Sequence, residues 1–191
     1  MVIEVRPATE FEDVRTLVGP KRPDASVCWC LSHRLPSKQN NALHGEERGA
    51  LVAEMCRSDL PPGVLAYDGD EPVGWAGVAP RADTQFARSR RIPHLDGPEP
   101  WCIWCLRVRP GYRGRGILRP LLAGAVEFAR ERGAAAVEGY PVDNGEQRVD
   151  LTMAFVGFRS LFEEVGFAKV ADTDAVAGGI PRVVMRRELG A

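Results

Sequence analysis

A chain of 191 residues, 45% hydrophobic, 27% charged and 7% aromatic, is long enough to bury the core of one ordinary soluble domain. Its formal net charge of −1 removes any global attraction to nucleic acid or anionic lipid, and no run of 18 apolar residues is available to cross a membrane. The opening MVIEVRPATEF lacks the basic and apolar regions of a secretory leader, and five cysteines, Cys28, Cys30, Cys56, Cys102 and Cys105, are an odd number. The expectation is a cytoplasmic protein with reduced thiols and neither a nucleic-acid nor a membrane partner.

No repeat or linker divides the chain, so residues 1–191 read as a single domain. Val2 to Val5 alternate as a strand, and a short helix is expected from Glu10 to Val18 with Thr9 as its N-cap. Residues 19–39 read as an irregular loop. Leu43, Glu46, Leu51, Val52 and Met55 give helical spacing over 41–57, stopped at Pro61-Pro62-Gly63. Strands follow over 64–67 and 72–78, joined by a hairpin turn at Asp68-Gly69-Asp70. After an arginine-rich excursion over 81–100, residues 101–108 are almost continuously apolar and predict a central strand. Leu118, Leu121, Leu122, Ala125, Val126 and Ala129 mark one face of a helix over 117–132, with Gly133 as its C-cap. A strand over 135–140, a polar insert, a helix from Phe155 to Val165 and strands over 167–171 and 182–186 complete a mixed α/β sheet built around a strand-turn-helix unit.

That unit carries the clearest chemical signal. Leu106 to Val108 end a strand, Gly114 and Gly116 open a turn, and a long amphipathic helix begins at Ile117. Glycine lets the backbone approach a ligand, and the unpaired amides of a helix start attract anions. With Arg113 and Arg115 alongside, the pattern suits a phosphate or pyrophosphate; a plain tight turn with exposed arginines is the alternative reading. Neither the dinucleotide fingerprint nor a Walker A loop is present.

The run Val108-x-Pro110-x-Tyr112-Arg113-Gly114-Arg115-Gly116-Ile117 resembles the acetyl-CoA signature of the GCN5-related N-acetyltransferases, Gln/Arg-x-x-Gly-x-Gly/Ala, except that Leu118 fills the last position. Val5 to Thr9 resemble that family's first strand, Pro72 to Trp75 its third, and Phe162 to Phe167 its closing helix-Gly-Phe element. The resemblance implies a mostly antiparallel mixed sheet of about seven strands, flanked by about four helices and splayed at the central strand. It implies acetyl-CoA as acyl donor, with pyrophosphate on the amides of Gly114 to Leu118, pantetheine on the main chain of Leu106 and Val108, and Phe162 over the thiol. It also implies a small-molecule or protein amine as acceptor, in a monomer or homodimer.

Three positions depart from the family pattern. The tyrosine that serves many relatives as general acid aligns with Phe162, an asparagine with Phe155, and a glutamate base with Cys102. Tyr140 and Glu99 stand as replacement acid and base, ahead of His94 and Asp96, each weighed against a packed or solvated role. Trp29 is the candidate lining of an acceptor pocket. Cys28, Cys30 and Cys56, with His33 among them, lack zinc-site spacing; the cysteines read as buried thiols beside a tryptophan, with no metal expected. Arg81, Arg88, Arg90 and Arg91 read as solvated charge, with recognition of an acidic acceptor as the sharper alternative. The function expected is an acyl-CoA-dependent N-acyltransferase that moves an acetyl group from acetyl-CoA directly to a primary amine; a non-catalytic acyl-CoA sensor on the same fold is the alternative.

Overall fold

The computed structural model describes residues 2–22, 25, 27–145 and 154–190; the polar insert expected before the last helix lies mostly outside them. Seven strands form one sheet: β1 Ile3–Pro7, β2 Gly63–Asp68, β3 Glu71–Pro80, β4 Trp101–Val108, β5 Ala136–Gly139, β6 Ala168–Ala177 and β7 Ile180–Glu188. Five α-helices are described: α1 Phe11–Val18, α2 Ser37–Ala42, α3 Glu46–Cys56, α4 Leu118–Arg130 and α5 Arg159–Glu164. The spatial order is β1-β2-β3-β4-β5-β7-β6, and only β4 and β5 run parallel. A parallel pair needs a long crossover, and α4 supplies it.

The sheet separates two apolar cores. On one face α1, α3 and the loop between α1 and α2 cover Leu65, Trp75, Trp104, Tyr140 and Val184. On the other, Leu121, Leu122, Ala125, Val126 and Ala129 of α4, with Phe162 of α5, cover Ile103, Leu106, Val137 and Met185. β4 contributes to both, which is why its sequence carries no polar alternation.

Several boundaries differ from the sequence reading. Glu10, not Thr9, occupies the N-cap position of α1, and no side chain caps it. The helix expected over 41–57 is two helices. Leu43 is extended between them, and Arg48 bridges the break by donating to the Asn40 and Leu43 carbonyls at 2.5 and 2.9 Å. The last predicted helix is broken as well: a 3-10 turn at Ala154–Val156 precedes α5. β6 and β7 form a longer hairpin than their short apolar cores indicated, because exposed polar residues on β6 still pair along the edge.

The solvated reading of the arginines fits Arg88, Arg90 and Arg91, which are exposed, and is overturned for Arg81, which is 1% exposed. Arg81 donates to the buried Glu138 carboxylate at 3.0 Å and to the Phe86, Ile92 and Pro93 carbonyls. Glu138 also accepts Arg186 at 3.0 Å and the Tyr140 hydroxyl at 2.8 Å, so one carboxylate ties β5, β7 and the loop after β3 together. Removing one partner of a buried charge pair is costly, typically about 3–5 kcal/mol, whereas exposed pairs contribute about 1 kcal/mol or less. Glu138→Gln is therefore expected to lower the melting temperature by roughly 10 °C. Glu127→Gln, which breaks the exposed pair with Arg130, should shift it by only a degree or two in the same thermal scan.

Candidate active site

The site begins with one irregularity. β3 and β4 pair as Gly77↔Cys105 and then as Val78↔Ile103, leaving Trp104 as an extra residue in β4. Alternation is broken there, so Trp104 and Cys105 both face the α1/α3 side while Ile103 and Leu106 face α4. The bulged strand also leaves its parallel neighbour, and pairing with β5 ends at Ile103↔Gly139. Where the two strands part, a cavity of about 510 Å³ opens. Its floor is Trp104 to Val108; Arg113 and Leu118 stand at one end, Cys28, Cys30, Ser32 and His33 at the other, and Phe155 and Phe158 close the side.

Close packing positions the far wall. A Cβ on Gly77 would lie 2.7 Å from the Trp104 indole, so only glycine lets that ring lie across β3. The indole Nε1–H then donates to the Cys30 carbonyl at 3.1 Å. This bond pins a stretch in which Trp29 and Cys30 both adopt the left-handed conformation, with φ of 52° and 57°. Non-glycine residues rarely hold such angles without surrounding constraint. The Cys30 and Cys105 thiols meet at 2.9 Å, and that contact together with burial pushes the Cys30 thiol up, keeping it protonated. Among the described residues no three of His, Cys, Asp and Glu converge as a metal site requires.

At the near end, Gly114 and Gly116 each have φ of 76°, and a Cβ on either would meet no atom within 4 Å. The Glu71 carboxylate accepts both Arg109 and the Tyr112 hydroxyl, and Arg115 lies 4.9 Å from the Tyr112 ring, so the turn is held from outside. Ile117 sits at the N-cap position with its side chain in the core, and α4 starts at Leu118. Of the first-turn donors, Leu118 and Arg119 have no intrahelical acceptor, and Pro120 has no N–H to leave unpaired. Open space, free amides and the Arg113 charge suit a diphosphate at this end. The unpaired edge of β4 offers the main chain of Leu106 and Val108 to an extended amide-bearing chain.

The candidate acid and base do not join this cavity. Tyr140 is fully buried, packs 4.6 Å from Phe86 and donates its hydroxyl hydrogen to Glu138; burial first, then the neighbouring Cys102 and Glu138, holds the phenol well above its ordinary pKa. Glu99, His94 and Asp96 are exposed on the loop before β4 and outside the lining. Cys102 is pushed up to about 12 by burial and contacts Thr84, so it is an apolar-face thiol rather than a base. Phe162 is fully buried against Gly139 and Phe167, behind Leu106 rather than in the lining. The Trp29 ring stacks on Phe11 and lines a second cavity of about 220 Å³ between α1 and α3; only its neighbours Cys28 and Cys30 reach the main one.

The residue that sequence reasoning passed over is His33. It lies against Phe86 and Phe155 at 5.1 and 6.1 Å, and burial, aided by the charge of Arg182, pushes its imidazole down to about 4. A neutral ring on the cavity wall can accept or donate a hydrogen bond at physiological pH. Its sequence signal, a histidine in a loop rich in small polar residues, pointed no further than a weak metal reading.

Comparison with known proteins converges on one family. A family model, the acetyltransferase (GNAT) family, matches residues 31–158. A curated mycothiol acetyltransferase from Propionibacterium freudenreichii is 28% identical over 127 residues; these are 66% of this chain but only 39% of that protein's length. Among solved structures, a GNAT-family acetyltransferase from Streptococcus pneumoniae superposes with a TM-score of 0.56 at 18% identity, covering 99% of this chain and 100% of the other. The PaiA N-acetyltransferase of Thermoplasma acidophilum, solved with coenzyme A, gives 0.53 at 16% identity over 99% and 100% of the two chains. Those two likenesses speak for the fold, and the family match, spanning well over half of the sequence, speaks for descent. The chain belongs to the GNAT acetyltransferase family.

Proposed function

We propose that this chain is an acetyl-CoA-dependent N-acetyltransferase that passes an acetyl group directly to a primary amine. The observation that carries the reading is the cavity at the parting of β4 and β5, with a diphosphate-compatible turn at one end and a separate polar entrance at the other. The amides around Gly114 to Leu118, with Arg113, hold the pyrophosphate; Leu106 and Val108 hold the pantetheine arm on the free edge of β4. The cofactor, when bound, supplies the acetyl thioester. The acceptor enters beside Cys28, Ser32 and His33, so its nitrogen and the thioester carbon meet over Cys105. Holding two reactants in this way supplies much of the rate without any side-chain acid.

Proton transfer follows from the same lining. The described wall holds no carboxylate, and the neutral His33 ring can orient the amine by a hydrogen bond. The proton released from the attacking nitrogen passes through water to the departing sulfur. A non-catalytic acyl-CoA sensor is the second reading, favoured by Phe162 where many relatives carry an acidic tyrosine. Release of free CoA thiol across a panel of amines separates the two: acceptor-dependent release supports transfer, and tight CoA binding with no release under any acceptor supports the sensor.

Gly116→Asp places a carboxylate at the anion end and forces a side chain into a left-handed backbone position. By calorimetry it should weaken CoA binding by about tenfold or more, whereas Arg88→Ala, at an exposed position outside the lining, should leave affinity within twofold. Cys28 is the one exposed thiol, and it lines the cavity. Iodoacetamide at neutral pH should label it before the other four, and saturating CoA should slow that labelling; mass spectrometry of the alkylated peptides reads both effects. Tyr140→Phe should leave kcat and its pH profile nearly unchanged while lowering stability by about 1–3 kcal/mol through the lost Glu138 bond. A fall in kcat of about 10²–10⁴ would instead make the phenol the general acid.

A further inference from the structure

The five cysteines are all free thiols, and two of them meet. The Cys30 and Cys105 sulfurs lie 2.9 Å apart, although the two residues are 75 positions apart in sequence. Cys28 and Cys102 contact the Ser32 and Thr84 hydroxyls instead, and Cys56 is buried elsewhere. Two independent constraints bring the pair together. The bulge at Trp104 turns Cys105 to the α1/α3 side. The Trp104 indole holds the Cys30 carbonyl, and the Cys30 backbone is fixed in the left-handed region. A disulfide forms readily only where the backbone already presents both sulfurs, and bonded sulfurs stand about 2.05 Å apart. Side-chain movement of about 1 Å closes the gap.

Position gives the pair a route to reagents. Cys30 and Cys105 are only 8% and 5% exposed, yet both line the main cavity. A small molecule therefore reaches them through that cavity rather than from the outer surface. An apolar side chain would fill either position, whereas two thiols in contact can be oxidised as a unit. In reducing compartments such bonds are typically transient and responsive to redox state.

We propose that Cys30 and Cys105 form a redox-modification site, which a low-molecular-weight disulfide entering the cavity converts to an intramolecular disulfide. One cysteine, as the thiolate, attacks a sulfur of the entering R–S–S–R and expels RS⁻, which takes up a proton. The second cysteine then attacks the protein sulfur of the mixed disulfide. A bond forms between the Cys30 and Cys105 sulfurs, and the second RS⁻ leaves with the remaining proton. Two protein thiols are oxidised and one small disulfide is reduced to two thiols. Burial and the mutual contact push the Cys30 thiol up, so exchange runs over minutes to hours. The product ties the loop bearing Cys28, Ser32 and His33 to β4, joining one end of the cavity to its floor.

The test treats the wild-type chain with hydroxyethyl disulfide, then denatures it and alkylates it with iodoacetamide. Peptide mapping should show Cys30 joined to Cys105, Cys56 and Cys102 alkylated, and Cys28 carrying at most one mercaptoethanol. The oxidised chain should melt about 5–10 °C higher, because the bond closes a long loop in the unfolded state, and dithiothreitol should reverse both changes. Cys30→Ser and Cys105→Ser should each stop at a mixed disulfide with no rise in melting temperature, while Cys28→Ser should still cross-link. A bridge to Cys28, a link between chains, or a wild-type chain in which Cys30 and Cys105 both stay alkylatable overturns the proposal, and none of these outcomes depends on a variant that folds. One further arm rests on the acetyl-transfer reading, in which pantetheine covers Cys105. A CoA analogue lacking its sulfur, at about ten times its Kd, should slow cross-linking by about tenfold. Unslowed cross-linking with the analogue bound by calorimetry counts against that placement of pantetheine and leaves the dithiol site standing. Absence of the cross-link in the free protein overturns the dithiol site and leaves acetyl transfer intact.

Discussion

The extra residue at Trp104 sets the geometry on which the rest of the site depends. Antiparallel pairing of β3 with β4 and parallel pairing of β4 with β5 cannot both continue past that point. One unpaired residue turns the strand, brings Trp104 and Cys105 to the same face, and frees the β5-facing edge of β4. The cavity is the space so created. The consequence spreads through contacts rather than through the backbone alone: Gly77 makes room for the indole, the indole holds the Cys30 carbonyl, and that bond fixes two successive left-handed residues. The loop they shape carries Cys28, Ser32 and His33 to the cavity wall.

A second constraint is electrostatic. Beside the point where β4 and β5 part, buried polar groups tie the end of β5 to its surroundings. Glu138 binds Arg81, Arg186 and Tyr140, while Arg182 holds the carbonyl of Tyr140. Such a cluster is worth little as net stabilisation compared with a well-packed apolar core. What it provides is a defined position for the chain beyond Gly139, hence for the wall opposite the free edge of β4.

Much of this architecture is legible in the sequence. The central strand, the glycine turn and α4 follow from a continuous apolar run, two glycines and a 3.6-residue periodicity, and those signals are local. The break between α2 and α3 was hidden, since the apolar spacing continues across Leu43 and only Arg48 reaching back to Asn40 reveals it. The bulge was hidden for a related reason. In Trp101-Cys102-Ile103-Trp104-Cys105-Leu106 every residue is apolar, so a shift of face at Trp104 changes nothing that a pattern can register. Arg81 was misread because its partner lies 57 residues away in sequence. Tyr140 differs, since its partner Glu138 is only two residues away: a tyrosine at a strand end reads as a candidate acid, and only the fold shows its hydroxyl donating to a buried carboxylate.

The departures from the family pattern then have a common cause. Phe162 and Cys102 stand where relatives carry ionisable side chains, and both are fully buried. An ionised group at either position would need a partner that neither core supplies. The Phe162 ring fills the space over Gly139, where even a Cβ would come within 2.1 Å of it. Cys102 lies near the Glu138–Arg81 pair, where a second carboxylate would compete with Glu138 for the same guanidinium. The buried charged side chains among the described residues, Arg81, Glu138, Arg182 and Arg186, thus all stand outside the cavity lining, and thiol and apolar side chains with the neutral His33 ring set the chemistry of the wall between Cys28 and Cys105.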